Sequence, residues 1–378
     1  MRILSSEDFA RRARANLPHF LYEYIAGGSF DEITAAANRT RLQAVKLKQR
    51  VLHDVARIDM STTLFGQRIA MPIVLGPVGL AGLCATRGEA QAARAAVKAQ
   101  IPFCLSNVSV CDIAEVSAAV DRPIWFQLYM TKDRAFTKAL LSRAAEQCSV
   151  LVFTVDTPVP ALRYRDLRSG LSGARGFRAR MRRSFQCAMR PAWAWKVGYR
   201  GRPHTLGNLR DVVGARSGME DFAGWIARNF DPSVTWADLA WVREQWKGPF
   251  IIKGLLDPAD ASAAAKIGAD GIVVSNHGGR QLDGVDATID ALPAIAELTR
   301  ETTTILVDGG VRSGLDVLKM LGSGAHGVLL GRAWALALAA GGESGVTCLL
   351  DTLRSELHAA MALTGTVSLA QAAAAIAR

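Results

Sequence analysis

Eight short apolar runs punctuate the chain: PIVLGP (72–77), IPFCLS (101–106), PIWFQLY (123–129), VLVFTVDTP (150–158), PFIIKG (249–254), GIVVSN (271–276), TILVDGG (304–310) and GVLLGR (327–332). Each is rich in Val, Ile, Leu, Phe or Trp and is followed by a turn signal and then by apolar positions at helical spacing. Within a run the apolar character is continuous rather than alternating, as strands buried on both faces of a parallel sheet require. Helix starts are marked between the runs. Thr86 with Glu89 reads as a capping box before an Ala-rich helix, and Asp257 followed by Pro258 opens another helix that Gly268 closes.

Eight strand-then-helix units is the count of an α/β TIM barrel, (β/α)8, and strand starts 22 to 33 residues apart fit a strand, a loop and a helix. One interval breaks the rhythm: 99 residues separate Val150 from Pro249, so a long insertion, at about 165–232, follows the fourth strand. It leaves from that strand's C-terminal end, which in such barrels is the active-site face. The expected organisation is a single domain over 1–378: a helical N-terminal extension to about residue 65, a barrel at about 70–340, and terminal helices beyond.

Charge changes the picture at the insertion. The 378 residues carry 45 Lys+Arg against 34 Asp+Glu, a net +11, and half are apolar, as in a soluble globular protein. Between Arg163 and Arg210 stand 13 basic residues and one acidic, Asp166, so the rest of the chain sums to −1. The same segment holds Phe177, Phe185, Trp193, Trp195 and Tyr199. A solvated loop needs no such aromatics. A membrane-surface foot needs both ingredients, with Trp193 and Trp195 at the interface and the basic groups on anionic headgroups. Single-stranded nucleic acid would also use both, but no recognised nucleic-acid motif accompanies them, so no nucleic-acid partner is expected. No run of about 18 apolar residues spans a bilayer, and MRILSSEDFARRAR lacks a signal peptide's apolar core, which predicts a chain that stays in the cytoplasm. Six scattered cysteines without a C-x-x-C pair argue against a disulfide framework or a zinc site, and no metal is expected.

Barrel chemistry sits where strands end, and polar residues fall there: Tyr129, Thr154 and Asp156, Lys253, Ser275 and His277, Asp308, and Arg332. Any one alone is more often a packing or solvated residue, but so many titratable groups on one face are hard to explain by packing. Gly309 and Gly310 with Arg312, and Gly331 with Arg332, each place freed backbone amides beside a guanidinium after a strand, a fit for a phosphate dianion. Gly322, Gly324 and Gly327 spell G-x-G-x-x-G but precede a strand instead of following one, so the match is fortuitous. His277 suits a general base, Arg280 a carboxylate anchor, and Asp156 a partner for the imidazole. Together they point to a 2-hydroxy or 2-oxo acid processed on a phosphorylated cofactor.

With LPHFLYEYIAGG (17–28), GPVGLAG (76–82), WFQLY (125–129), TVDTP (154–158), RYRD (163–166), IKG (252–254), SNHGGRQLDG (275–284), DGGVRSG (308–314) and LLGR (329–332), the chain resembles the FMN-dependent L-2-hydroxy acid dehydrogenases and oxidases over nearly its whole length. WAW (193–195) and GRPHTLGN (201–208) are similar to the insertion of the membrane-associated bacterial lactate dehydrogenases within that family. The resemblance implies FMN as cofactor and His277 as base with Asp156 as its partner. It implies Arg280 and Tyr24 as carboxylate anchors, Arg163 as a second carboxylate contact, and Tyr129 bonded to the substrate hydroxyl. Pro77, Val78 and Gly79 would face the flavin, with Ser106, Gln127, Thr154 and Ser275 bonding it and Lys253 stabilising its reduced form. Asp308 would hold the ribityl chain, and Gly309, Gly310, Arg312, Gly331 and Arg332 the phosphate side. It further implies a homo-tetramer on the cytoplasmic side of the inner membrane that oxidises an (S)-2-hydroxy acid, L-lactate above all, and passes electrons to a quinone. The rival readings are a soluble oxidase using dioxygen, a mandelate-type enzyme, and a nucleic-acid-binding protein acting through the insertion.

Overall fold

The computed structural model describes residues 3–172, 176–210 and 228–377. All eight expected strands are present and all pair in parallel. After a small hairpin, β1 (Thr62–Leu64) and β2 (Gln67–Ile69), the barrel strands are β3 (Ile73–Leu75), β4 (Cys104–Ser106), β5 (Ile124–Leu128), β6 (Cys148–Thr154), β7 (Phe250–Leu255), β8 (Gly271–Val274), β9 (Thr304–Val307) and β10 (Gly327–Leu330). The sheet runs β3-β10-β9-β8-β7-β6-β5-β4. It closes where Leu75 bridges Phe103 and the Leu75 N–H donates to the Pro102 carbonyl at 3.0 Å.

Alternation within the strands divides the core in two. Val74, Cys104, Trp125, Val152, Ile251, Val273, Leu306 and Leu329 fill the barrel, while their neighbours meet the surrounding helices. The hairpin plugs the N-terminal end. Phe65 packs edge-on to Trp125 at 5.6 Å, worth about 0.5–1.5 kcal/mol beyond area burial. Gly271 makes room for it, since a Cβ there would lie 2.6 Å from the Phe65 ring. Gln67 accepts from the Trp125 indole at 3.2 Å and donates to Ser149 at 2.7 Å.

The extension forms three helices, Ser6–Asn16, His19–Ala26 and Ile33–Ala44. The first packs on the Arg332–Leu363 helix, which bends at Gly341 and Gly342. By length and composition that helix is the one described element able to cross a membrane, yet 67% of its apolar window is buried in the protein. All six cysteines are free thiols.

Two local expectations are corrected. Thr86 and Glu89 make no capping box: Arg87, in the left-handed region, precedes the Gly88–Lys98 helix. Glu89 is buried and accepts from the Gly82 and Val110 N–H groups at 2.8 and 2.9 Å, and the Thr86 hydroxyl donates to the Lys196 carbonyl. Tertiary donors outcompete the local ones. Nor is Trp193 an interfacial residue: it is half-buried and its indole donates to the Leu83 carbonyl at 2.8 Å, pegging the insertion to the barrel. The described part of the insertion is folded rather than a solvated loop; residues 173–175 and 211–227 of the expected span lie outside the described residues. Its Gln186 spans from the Phe20 N–H (2.8 Å) to the Ser169 carbonyl (3.0 Å), and Arg190 reaches the Leu17 carbonyl.

Candidate active site

A cavity of about 410 Å³ opens at the C-terminal ends of the strands. Seventeen of the twenty residues singled out in the sequence line it. The other three, Gln127, Asp156 and Ser275, stand just behind its wall, each bonded to a residue that does line it.

His277 has φ +57, the left-handed backbone that a sharp turn after β8 demands and that few non-glycine residues adopt. Its amide donates to Ser275 Oγ at 3.0 Å and its Nδ1 lies 2.9 Å from Asp156 Oδ1. A carboxylate only accepts, so Nδ1 carries the proton and Nε2 keeps a free lone pair, with no partner among the described residues. Burial, the largest influence, and the charges of Lys253 and Arg163 push the imidazole below its ordinary value, although Asp156 pulls the other way. For Asp156 burial opposes ionisation more than any single neighbour favours it, yet His277, Lys253 and Thr157 together hold the carboxyl below its usual range. The pair is therefore a neutral imidazole on a charged carboxylate near neutral pH. Gly254 (φ +109) makes this possible: a Cβ there would sit 2.7 Å from Asp156 Cβ and Cγ.

Cations converge on the same cavity. Arg280 Nη1 donates to the Tyr24 and Gly27 carbonyls at 2.7 and 2.8 Å and its guanidinium lies 5.0 Å over the Tyr24 ring. Arg332 donates to the carbonyls of Ile25, Gly27 and Gly278. The C-terminal carbonyls of the His19–Ala26 helix are thus satisfied by two arginines. Burial, with the charge of Arg163 or Arg39 added, pushes Arg280 and Arg312 down to about 10. Among the described residues no carboxylate pairs with Arg280, Arg312 or Arg332. Three half-buried guanidiniums, none paired with a carboxylate among the described residues, make a site for anions. Arg163 donates to the Arg280 carbonyl at 3.3 Å and stands 4.0 Å from Asp166.

The residues between base and arginines fit FMN. Gln127 Nε2, Thr154 Oγ1 and Asp308 Oδ1 are buried without a hydrogen-bond partner, a costly state that a polar-edged ring and its polyol chain would relieve. Gly309 and Gly310 take φ of +98 and +82, and a Cβ on Gly310 would strike the Asn38 carbonyl at 2.3 Å; at Gly331 it would project into open space. These loops offer backbone amides beside Arg312 and Arg332. Lys253 Nζ lies 3.1 Å from Asp308 and donates to Ser275 at 2.9 Å. Burial alone would discharge it, but Asp308 and Asp156 hold the ammonium above the ordinary lysine value. Pro77, Val78, Gly79 and Ser106 line the same cavity, and burial pushes the Tyr129 phenol up, keeping it a donor.

Four supporting residues escaped the sequence reading. Gln281 donates to the Asp156 and Val159 carbonyls at 2.9 and 3.1 Å and so holds the loop that carries Asp156. Asn38 and Asn276 exchange amide hydrogen bonds at 2.8 and 2.9 Å, tying the extension to the loop of His277 and Arg280. Phe230, at the far end of the insertion, packs on the Tyr129 ring at 4.9 Å. Their place in the loop after β8, the segment that also carries His277 and Arg280, was the available signal for Asn276 and Gln281; Phe230 had none.

Comparisons with known proteins agree with this geometry. A family model described as FMN-dependent dehydrogenase matches residues 13–378. An L-lactate dehydrogenase from Caulobacter sp. (strain K31) is 58% identical over 372 residues, covering 98% of this chain and 97% of the relative. One from Pectobacterium atrosepticum is 54% identical, covering 98% and 95%. Among solved structures, the monotopic membrane protein (S)-mandelate dehydrogenase superposes with a TM-score of 0.90 at 33% identity, covering 98% of this chain and 97% of that one. A mandelate oxidase with (S)-4-hydroxymandelic acid gives 0.86 at 36%, with the same coverage. A family match of this extent, relatives alike from end to end and a cavity shaped for the cofactor lead to one conclusion: the chain belongs to the FMN-dependent dehydrogenase family.

Proposed function

We propose that this FMN-dependent dehydrogenase oxidises L-lactate to pyruvate and delivers the electrons to a membrane quinone, as a peripheral protein on the cytoplasmic side of the inner membrane. One observation carries the chemical half: a neutral His277, paired at 2.9 Å with Asp156, shares a cavity with the unpaired guanidinium of Arg280. Arg280 fixes the substrate carboxylate, with Tyr24 and Arg163 beside it, so the hydroxyl-bearing carbon is presented to the base in one orientation. Tyr129 donates to the substrate hydroxyl. His277 Nε2 takes one of the two protons lost when a 2-hydroxy acid becomes a 2-oxo acid, and Asp156 stabilises the resulting imidazolium. FMN, which the glycine loops with Arg312 and Arg332 would hold, would supply the two-electron acceptor. Lys253 supplies positive charge where negative charge accumulates during the reaction. The relatives named L-lactate dehydrogenase support the choice of substrate.

The membrane half rests on the insertion. Phe177, Met181, Phe185 and Met189 recur every four residues along one side of the Phe177–Ala188 helix and its end, with Phe177 77% and Phe185 65% exposed. Arg178, Arg180, Arg182 and Arg183 flank them. Beyond, Trp195 stacks on Tyr199 at 5.2 Å with Arg200 over its face, and both rings are exposed. Apolar stripe, aromatic anchors and arginines are the parts of an interfacial helix. The solved relative described as monotopic points the same way. The tetramer belongs to this reading too, and sedimentation of the detergent-free holoenzyme checks it.

An anaerobic visible spectrum tests the chemistry: L-lactate should bleach the flavin band of the wild type and leave it standing in His277→Gln, which should still hold FMN. Bleaching by neither lactate nor other 2-hydroxy acids would refute the substrate class, and rapid oxygen uptake on lactate would refute the quinone.

A further inference from the structure

A second cavity, of about 440 Å³, lies behind the first. The two share Tyr129, Thr154, Thr157 and Phe230 as a common wall. Most of the rear cavity is apolar, with Phe153, Val234, Trp236, Leu239 and Leu255 around it. Its carboxylates are at the margin: Asp231 is bonded to Arg134 at 2.7 Å and Asp260 is exposed. Since an apolar cavity of about 150 Å³ already admits benzene, this one has room for an aryl ring or a long alkyl chain.

The partition is a built feature. Thr131 bridges Phe230, Lys132 N–H donates to the Asn229 carbonyl at 2.9 Å, and Asp231 N–H donates to the Met130 carbonyl at 3.1 Å. This short ladder fastens the end of the insertion to the segment just past β5 and sets the Phe230 ring against Tyr129, tilted by 30°. Phe230 is buried and faces both cavities at once.

We propose that Phe230 determines which 2-hydroxy acids are accepted: its ring closes the substrate space against an apolar subsite suited to the side chain of an aryl or long-chain 2-hydroxy acid. The proposal rests on the reading of this chain as a lactate dehydrogenase, because it explains what restricts the site to a methyl-sized side chain. The ring stands where a larger side chain would have to pass beside Tyr129. Removing it joins two spaces of similar volume without touching His277, Asp156 or Arg280. Phe230 also braces Tyr129, so its loss lowers turnover of every substrate somewhat; the specificity claim concerns the ratio between substrates.

The test uses flavin-loaded wild type, Phe230→Ala, Phe230→Leu and the double variant Phe230→Ala/Val234→Trp, assayed with a small soluble acceptor. In Phe230→Ala the ratio of kcat/KM for (S)-mandelate and (S)-2-hydroxyoctanoate to that for L-lactate should rise at least tenfold, with Phe230→Leu between. Titration of the oxidised flavin's absorbance with benzoylformate, a non-reacting aryl 2-oxo acid, should show at least tenfold tighter binding. Val234→Trp, which refills the rear cavity, should cancel both gains. An equal fall on all substrates with no tighter benzoylformate binding would overturn the proposal, leaving Phe230 a brace for Tyr129. A gain that survives Val234→Trp would overturn it too, because the side chain would then lie elsewhere. A wild type that prefers mandelate to lactate would instead overturn the lactate reading, a result distinct from an unchanged ratio in the variants.

Discussion

Replacing Asp156 by Asn changes one atom in the wall behind His277 and removes the charge 2.9 Å from Nδ1. Two effects add. An amide can donate to Nδ1 as well as accept from it, so the ring is free to carry its proton on Nε2, where it cannot act as a base. The imidazolium formed in the reaction also loses its counter-charge: with charge centres about 4 Å apart and an effective dielectric of about 20, that attraction is about 4 kcal/mol. At about 1.4 kcal/mol per tenfold, flavin reduction by saturating L-lactate should slow by about 10³. Substrate binding should change little, because Arg280, Arg163 and Tyr24 are untouched. The pH profile carries a second signature. His277 already sits below its ordinary value through burial, and the base works only while neutral, so the acid limb of the wild-type reduction rate should lie below about pH 6.5. Loss of the Asp156 contribution, which raises the imidazole, should move that limb further to acid. Anaerobic stopped-flow bleaching across pH, with the flavin-to-protein ratio measured on the same sample, reads all of this. A reduction rate within tenfold of wild type in a fully flavinated Asp156→Asn enzyme would refute the dyad.

Arg280→Lys should raise KM for L-lactate and lower kcat, since an ammonium cannot reproduce a planar two-bond grip on a carboxylate; wild-type kinetics would remove Arg280 as the anchor. Gly254→Ala should lose about 100-fold in flavin reduction while still binding FMN, because its Cβ displaces Asp156 and its φ of +109 resists a side chain; a normal rate would show that Asp156 tolerates displacement. For the foot, Phe177→Glu, Met181→Glu and Phe185→Glu together should weaken binding to anionic liposomes about 100-fold, at about 1 kcal/mol per half-immersed side chain, with turnover on a soluble acceptor unchanged; equal liposome binding would end the membrane reading. This triple variant is a better probe than excising the segment, which would also remove Gln186 and Trp193 from their contacts with the extension and the barrel.

Legibility in the sequence followed the physics of each feature. Strands buried on both faces write themselves as unbroken apolar runs, so all eight could be read, and residues such as His277 and Lys253 stood out because a polar group ending such a run is costly unless it is used. The β1–β2 hairpin was missed since two three-residue strands joined by Phe65 and Gly66 are too short to show a period. Glu89 satisfied a local motif and was then claimed by amides from two other loops. Trp193 and Trp195 share one tripeptide, yet only a contact with Leu83, distant in sequence, distinguishes a structural peg from an exposed anchor. Gly254, Gln281 and Phe230 act through neighbours that folding alone brings near.

The plug made by Phe65, Gln67 and Trp125 governs traffic as well as stability. With the barrel sealed at its base, the cavity that holds His277 and Arg280 opens at the strand ends, beside Leu167, Leu171 and Ser172 of the insertion. A 2-hydroxy acid entering, its 2-oxo product leaving and an electron acceptor reaching the flavin would then share this passage. An enzyme built this way would alternate between its oxidised and reduced states, with acid and acceptor competing for the same entrance instead of assisting one another.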